Sequence, residues 1–335
     1  MEKDFISTLK QRLQTPKKAV IIPHKNPDGD ALGSTLAWMH FLLNENHEAL
    51  IISPNDYPKF LNWLPGQEQI LIYNQKKELA EKKIEEADLI FTLDFNALSR
   101  IDTLGDLVSN AKAEKVMIDH HESPEDYAEL MYSDPQMSST CEMIYRLITE
   151  LNSKGFTHEI ASCPHTGIMT DTGSFRYPST TAETHKAIAK LVESGADGTA
   201  IHQNIYDSSS FNRLKLLGIA LSNLNQIESL PVVFITLKQA ELNSCDYQKG
   251  DTEGFVNYGL SLEGVQFACI MIENEKEGKI KMSFRSKGSF SVNEFARTYF
   301  EGGGHHNAAG GMSKDSMEKT VHRFKTAVAE IANQF

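Results

Sequence analysis

The sequence predicts an α/β protein: an N-terminal doubly wound, mostly parallel sheet domain over residues 1–190, a helical linker over 191–228, and a smaller C-terminal α/β domain over 229–335. Three observations predict it. A chain of 335 residues exceeds what one ordinary core organises. Short, continuously apolar runs alternate with helical patterns through the first half, as in a parallel sheet covered on both faces. Beyond about residue 230, strands joined by turns give way to two helices with a glycine-rich stretch between them.

The strands of the first half are "AVIIPH" (19–24), "ALIIS" (49–53), "ADLIFTLD" (87–94) and "KVMIDHH" (115–121). Each is short, apolar and bounded by polar residues. Helices are expected over about 31–44, 76–86, 138–153 and 158–171. After residue 183 the chain turns helical and more polar without a Gly/Pro-rich tether, which suggests the linker. "LPVVFITL" (230–237), "GVQFACIMIENE" (264–275) and "KIKMSFRS" (279–286) read as hairpin-type strands. A helix over about 291–300 leads to "GGGHHNAAGG" (302–311), and a long helix over 315–333 closes the chain.

Composition limits the function. Apolar content of 40% and charged content of 23% describe a soluble globular chain. No apolar run reaches the roughly 20 residues that span a bilayer. The N-terminus "MEKDFISTLKQRLQTPKK" lacks the apolar middle of a signal peptide. A cytoplasmic protein without a membrane partner is expected. Four scattered cysteines fit neither a zinc knuckle nor a disulfide framework. A net charge of −12 argues against gripping long duplex DNA through its phosphates. Small phosphorylated ligands stay open, because bound cations supply a local positive field.

"KNPDGDALGS" places Asp28 and Asp30 one glycine apart where a strand hands over to a helix. Alone, such a pair is as readily a helix cap. His24 and Asp94 end other apolar runs, Asp119, His120 and His121 end a third, and Asp171 lies in "TDTGSF". In doubly wound sheets, functional groups collect beyond the carboxyl ends of the strands. His24, Asp28, Asp30, Asp94, His120 and Asp171 are oxygen and imidazole donors without a thiolate, a set that suits Mn²⁺ or Mg²⁺ better than structural zinc. Six donors suit two ions sharing a carboxylate, with Asp94 the natural bridge and Gly29 easing the turn between the paired aspartates. Two ions about 3.5–4 Å apart are a common device for hydrolysing phosphate esters. In the second domain, Gly303, Gly304, His305 and His306 lie in a run of small residues that lets a backbone approach phosphate closely. Arg285 in "FRSKG" is a candidate for a bidentate phosphate grip, with Ser286 beside it; an exposed strand arginine is the plainer reading.

With these residues the chain resembles the DHH phosphoesterase superfamily, whose name-giving triplet is here Asp119-His120-His121. "HKNPDGDALGS", "TLDFN" and "TDTGSF" match its other motifs, and "GGGHHNAAGG" matches the glycine-histidine motif of the DHH-associated domain. The match runs from about residue 18 to about 330 and looks most like the nano-RNase and 3′-phosphoadenosine 5′-phosphate phosphatase subgroup. The resemblance implies one Mn²⁺ on His24, Asp28 and Asp94, and another on Asp30, Asp94, His120 and Asp171, with Mg²⁺ as the alternative metal. It implies that His121 meets the scissile phosphate or the leaving oxygen, and that Asp119 orients a ligand histidine. It also implies an active site in the cleft between the domains, where the glycine-histidine loop holds the substrate.

The expected activity is Mn²⁺-dependent hydrolysis, by water activated at two ions, of short single-stranded RNA to 5′-mononucleotides or of 3′-phosphoadenosine 5′-phosphate to AMP. Rival readings are a phosphodiesterase for a cyclic dinucleotide or linear pApA, an inorganic pyrophosphatase, and a non-catalytic nucleotide-binding regulator. The sequence admits a homodimer without identifying an interface.

Overall fold

A computed structural model describes residues 2–152 and 155–335, in two compact units that meet in sequence at Ser208 and Ser209. The first unit runs α1 (Glu2–Arg12), β1 (Lys18–Pro23), α2 (Gly29–Asn44), β2 (Glu48–Ser53), β3 (Leu71–Ile72), α3 (Lys77–Glu85), β4 (Leu89–Leu93), α4 (Leu104–Asn110), β5 (Glu114–Asp119), β6 (Leu130–Ser133), α5 (Thr140–Leu151), α6 (His158–Asp171), α7 (Ala182–Glu193) and α8 (Gly198–Tyr206).

Its six strands lie in the order β3-β2-β1-β4-β5-β6, with every adjacent pair parallel. Alternate residues of each strand feed opposite cores. Ala19 and Ile21 join Leu32, Leu36 and Trp38 of α2 and Ile144 and Leu147 of α5. Val20 and Ile22 join Ala80 and Ile84 of α3 and Leu104 and Val108 of α4. Burial on both faces explains why the strands read as unbroken apolar runs. Helix α2 is buried nearly all round because α5 and α6 cover the side turned away from the sheet.

The four expected strands and four expected helices of this unit form close to the expected positions. Ser153, at the end of one expected helix, lies outside the described residues. The short β3 and β6 escape periodicity, having too few residues to show one.

The second unit runs α9 (Phe211–Ser222), β7 (Leu224–Gln226), β8 (Val232–Leu237), α10 (Gln239–Ser244), α11 (Phe255–Leu260), β9 (Phe267–Asn274), β10 (Lys279–Ser286), α12 (Val292–Tyr299), β11 (Gly303–His305), β12 (Ala308–Ser313) and α13 (Met317–Glu330). The stretch 191–228 thus carries α8 in the first unit and α9 and β7 in the second. The sheet order is β11-β12-β10-β9-β8-β7. Strands β9 and β10 form the expected hairpin, but β8 pairs with β9 in parallel, because the connection between them carries α10 and α11. One face packs Phe267, Phe284, Phe295 and Phe324 into an aromatic core, with Phe267 and Phe295 edge to face at 5.1 Å. The other buries Val233, Ile235 and Ile270 under α9 and α11.

"GGGHHNAAGG" is a tight hairpin rather than a loop. Gly304 of β11 pairs with Ala309 of β12. A Cβ on Gly304 would lie 2.5 Å from the Ala308 carbonyl oxygen, so close backbone packing accounts for this glycine.

Candidate metal centre

The strand order of the first sheet reverses between β1 and β4, and a crevice opens beyond the carboxyl ends of strands at such a point. His24 directly follows β1 and Asp94 directly follows β4, so these residues flank that point. Asp119 ends the neighbouring β5, and His120 and His121 follow it. Asp28 caps α2, its Oδ1 accepting the N–H groups of Asp30 (3.0 Å) and Ala31 (3.1 Å). Asp30 lies in the first turn of that helix, and Asp171 ends α6. The cap and the metal reading are compatible, since Asp28 caps with one oxygen and turns the other to His24. Gly29 does not ease a turn, contrary to expectation. It starts the helix, and a Cβ there would lie 2.5 Å from Oγ1 of Thr170.

The six expected donors converge in two overlapping groups. Nε2 of His24 lies 3.5 Å from Oδ2 of Asp94 and 3.9 Å from Oδ2 of Asp28. Nε2 of His120 lies 3.4 Å from Oδ2 of Asp171, 3.7 Å from Oδ2 of Asp30 and 3.6 Å from Oδ1 of Asp94. Asp94 therefore presents a different oxygen to each histidine. These separations exceed hydrogen-bond length. They fit atoms sharing a cation, because two donors each about 2.1 Å from one ion stand about 3 Å apart at right angles and further at wider angles. The donor chemistry and spacing fit a pair of hard divalent ions.

Contacts behind the donors fix their orientation. Nδ1 of His24 meets the Lys25 carbonyl at 2.9 Å, and Nδ1 of His120 meets the Met137 carbonyl at 3.2 Å. A carbonyl on Nδ1 selects the tautomer whose Nε2 lone pair faces the carboxylates. Asp30 sits on the N-terminus of α5, accepting the backbone N–H groups of Thr140 (2.7 Å) and Cys141 (2.8 Å). Oγ1 of Thr140 donates to Oδ1 of Asp94 at 2.9 Å. Asp94 itself adopts φ +68, a conformation that costs energy in most residues but is tolerated by Asp and Asn.

Asp119, expected to orient a ligand histidine, meets the neighbouring His121. Its Oδ1 takes Nδ1 of His121 at 2.7 Å, while His120 is held by a backbone carbonyl. Residues two apart in extended backbone share a side, which brings Asp119 to His121.

Charge is crowded here. Burial, then the carboxylates of Asp30 and Asp28, hold the Asp94 carboxyl well above its ordinary range. Burial also raises Asp30. For His120 burial opposes the charge, but Asp171, Asp30 and Asp94 outweigh it and lift the imidazole to about 9. Burial and the neighbouring His120 push His121 well down. In the chain alone a proton on His120 neutralises what divalent cations would neutralise better.

The expected substrate residues gather at one end of the second sheet. Arg285 of β10 registers with Ala308 of β12, which registers with His305 of β11. Nη1 of Arg285 donates to the Phe284 carbonyl at 3.0 Å, and its Nε is buried without a hydrogen-bond partner. Ser286 is engaged internally: its hydroxyl donates to the Phe290 carbonyl and accepts from Asn307. Gly303 and Gly304 lie in β11, with the Gly304 N–H on Asn293. Nε2 of His306 meets the Ser289 carbonyl at 3.2 Å.

Sequence reasoning missed Met137, Thr140 and Cys141, which support three of the donors. "SSTCE", with Ser139 capping α5, is the signal that marks this helix start.

The model of the DHH family N-terminal domain matches residues 18–168, and that of the DHHA1 domain matches residues 240–334. A bifunctional oligoribonuclease and PAP phosphatase NrnA of Thermus thermophilus is 30% identical over 312 residues, 92% of this chain and 89% of that protein. A probable bifunctional oligoribonuclease and PAP phosphatase NrnA of Streptococcus mutans is 28% identical over 307 residues, 91% of this chain and 93% of that protein. The crystal structure of an exopolyphosphatase-related protein from Bacteroides fragilis superposes with a TM-score of 0.94 at 40% identity, covering 99% of this chain and 97% of that one. With its motifs at the donor positions and its relatives matched along nearly their whole length, the chain belongs to the DHH family, among its NrnA-like members, and carries a DHHA1 domain.

Proposed function

We propose that this protein is a Mn²⁺-dependent phosphohydrolase that degrades short single-stranded RNA to 5′-mononucleotides and dephosphorylates 3′-phosphoadenosine 5′-phosphate to AMP. The observation that carries the reading is Asp94, which offers one oxygen to His24 and the other to His120 within two donor groups. His24, Asp28 and Asp94 would hold one ion, and Asp30, Asp94, His120 and Asp171 the other. When bound, the ions lower the pKa of the attacking water and stabilise charge on the phosphoryl oxygens.

The chain supplies the remaining chemistry. Asp119 anchors Nδ1 of His121, so Nε2 is the nitrogen through which His121 meets a phosphate or leaving oxygen. In the second unit, Arg285 offers a cation, and Gly303, Gly304, His305 and His306 offer backbone and imidazole groups for a nucleotide. Ser286 serves by holding Asn307 and so the hairpin turn. A charge of −12 favours short substrates over long duplex DNA. Among the described residues no helix is long and apolar enough to cross a membrane, and all four cysteines are free and buried, as suits a reducing cytoplasm.

The test is product analysis of purified protein with Mn²⁺ or with EDTA, on pApA, an RNA pentamer, 3′-phosphoadenosine 5′-phosphate, cyclic di-AMP and pyrophosphate. Mn²⁺-dependent AMP from pApA and 3′-phosphoadenosine 5′-phosphate, and mononucleotides from the pentamer, are expected, with pyrophosphate untouched. No product from the first three substrates would overturn the proposal.

A further inference from the structure

Resting on the two-ion reading above, we propose that Glu142 is a positioning residue for the half of the centre built on Asp30, His120 and Asp171. It acts by pinning residues 137–141, which hold Asp30, His120 and the Asp94 oxygen that faces His120.

Glu142 lies in the first turn of α5, and its side chain is 2% exposed. Its Oε2 accepts the hydroxyl of Ser138 at 2.5 Å and that of Thr184 at 2.8 Å. Its Oε1 takes Nη2 of Arg146 at 2.5 Å. These donors come from three places: the loop after β6, the next turn of α5, and the first turn of α7. Burying a carboxylate is expensive, and well-packed apolar residues often serve stability as well or better. What this carboxylate provides is fixed geometry. The spacing Ser139-x-x-Glu142 matches a capping box, in which the glutamate would reach back to its own cap. Here Ser139 does cap the helix, through its hydroxyl to the Glu142 N–H at 3.0 Å, while the glutamate side chain binds Ser138, Arg146 and Thr184.

The pinned segment is the support of one half of the centre. The Met137 carbonyl meets His120, the N–H groups of Thr140 and Cys141 hold Asp30, and the Thr140 hydroxyl holds the Asp94 oxygen that faces His120. His24 and Asp28 draw their support from Lys25 and from the start of α2 instead. Loosening Glu142 should therefore weaken the site of Asp30, His120 and Asp171 more than the other, which shares only Asp94 with it.

The experiment is calorimetric titration of the metal-free full-length chain with Mn²⁺, for wild type, E142A, E142Q and T184V, with circular dichroism to establish folding. Wild type should take up two ions. E142A should bind one of them about 10- to 100-fold more weakly, the usual range for lost outer contacts, with the other affected less. E142Q should retain part of the affinity, because the amide still offers an oxygen to Arg146. For 3′-phosphoadenosine 5′-phosphate at subsaturating Mn²⁺, kcat should fall while KM holds. A folded E142A that binds both ions as wild type does, or loses both equally, overturns the proposal. Should E142A fail to fold, T184V decides by the same criteria, since it removes one donor and keeps the side-chain shape. Failure of wild type to bind Mn²⁺ would instead overturn the two-ion reading itself.

Discussion

At the scale of single residues, Asp94 shows how function and stability oppose each other. Its carboxylate is buried beside Asp30, Asp28 and Asp171, which raises its pKa and makes the metal-free fold pay for the charge. Asn occupies the same volume and tolerates the same positive φ. D94N should therefore melt at a higher temperature than wild type in EDTA and at a lower one in saturating Mn²⁺, with turnover lost. A melting shift of the same sign in both buffers would show that repulsion among these carboxylates is not what the cations relieve. Asp119 makes a different forecast. D119N should cut turnover about 10²-fold or more by freeing the His121 ring, with calorimetric Mn²⁺ affinity unchanged. The convergence of the six candidate donors was legible in the sequence because acids and imidazoles at the ends of strands and helices have no packing role. Their supports were not, because the Met137 carbonyl and the Thr140 and Cys141 amides are groups that nearly every residue possesses. Pairing Asp119 with His121 was within reach of strand alternation.

At the scale of elements, the crossing of α2 and α6 sets how closely the donors approach. A Cβ on Gly167 would lie 2.2 Å from Sγ of Cys141 and 2.8 Å from Oδ1 of Asp30. One on Gly33 would lie 2.5 Å from the Cys163 carbonyl oxygen. Both G167A and G33A should destabilise the first unit by about 1–3 kcal/mol, the usual cost of overpacking. In calorimetry G167A should lose more Mn²⁺ affinity than G33A, since only its methyl group would press on a donor; equal losses would show that the crossing acts as one body. Helices with clear periodicity and strands written as unbroken apolar runs were legible, including all four central strands of the first sheet. The parallel pairing of β8 and β9 was missed because proximity in sequence suggested a hairpin, although two helices intervene. The glycine-rich hairpin read as a loop because glycine is a poor strand former, and its close backbone contacts leave no hydrophobic trace.

For the whole molecule, acid and metal should act on the first unit. His165 in α6 is 4% exposed, and burial depresses its imidazole to about 4. Its unfolded value is about 6.5. The folded form therefore binds fewer protons than the unfolded form below that value. This contribution is complete above about pH 6.5 and is lost as pH falls toward 4. Between pH 7 and pH 5 it should cost wild type about 1–2 kcal/mol in urea denaturation. H165L should show a correspondingly flatter pH dependence, and identical slopes for the two proteins would locate the acid lability elsewhere. Mn²⁺ at 100 times its dissociation constant should add about 2.7 kcal/mol per independent site to the first unit's transition. The second unit has its own aromatic core, so its transition should ignore EDTA, as fluorescence and calorimetric melts can check.

The sheet order has a consequence for biosynthesis. Donors of the centre run from His24 to Asp171, and His24 and Asp94 follow strands that neighbour in space but lie about a third of the first unit apart in sequence. A ribosome must therefore extrude almost all of that unit before the full set of candidate donors is available. Capture of a second ion by a nascent chain should accordingly begin only after Asp171 has left the exit tunnel.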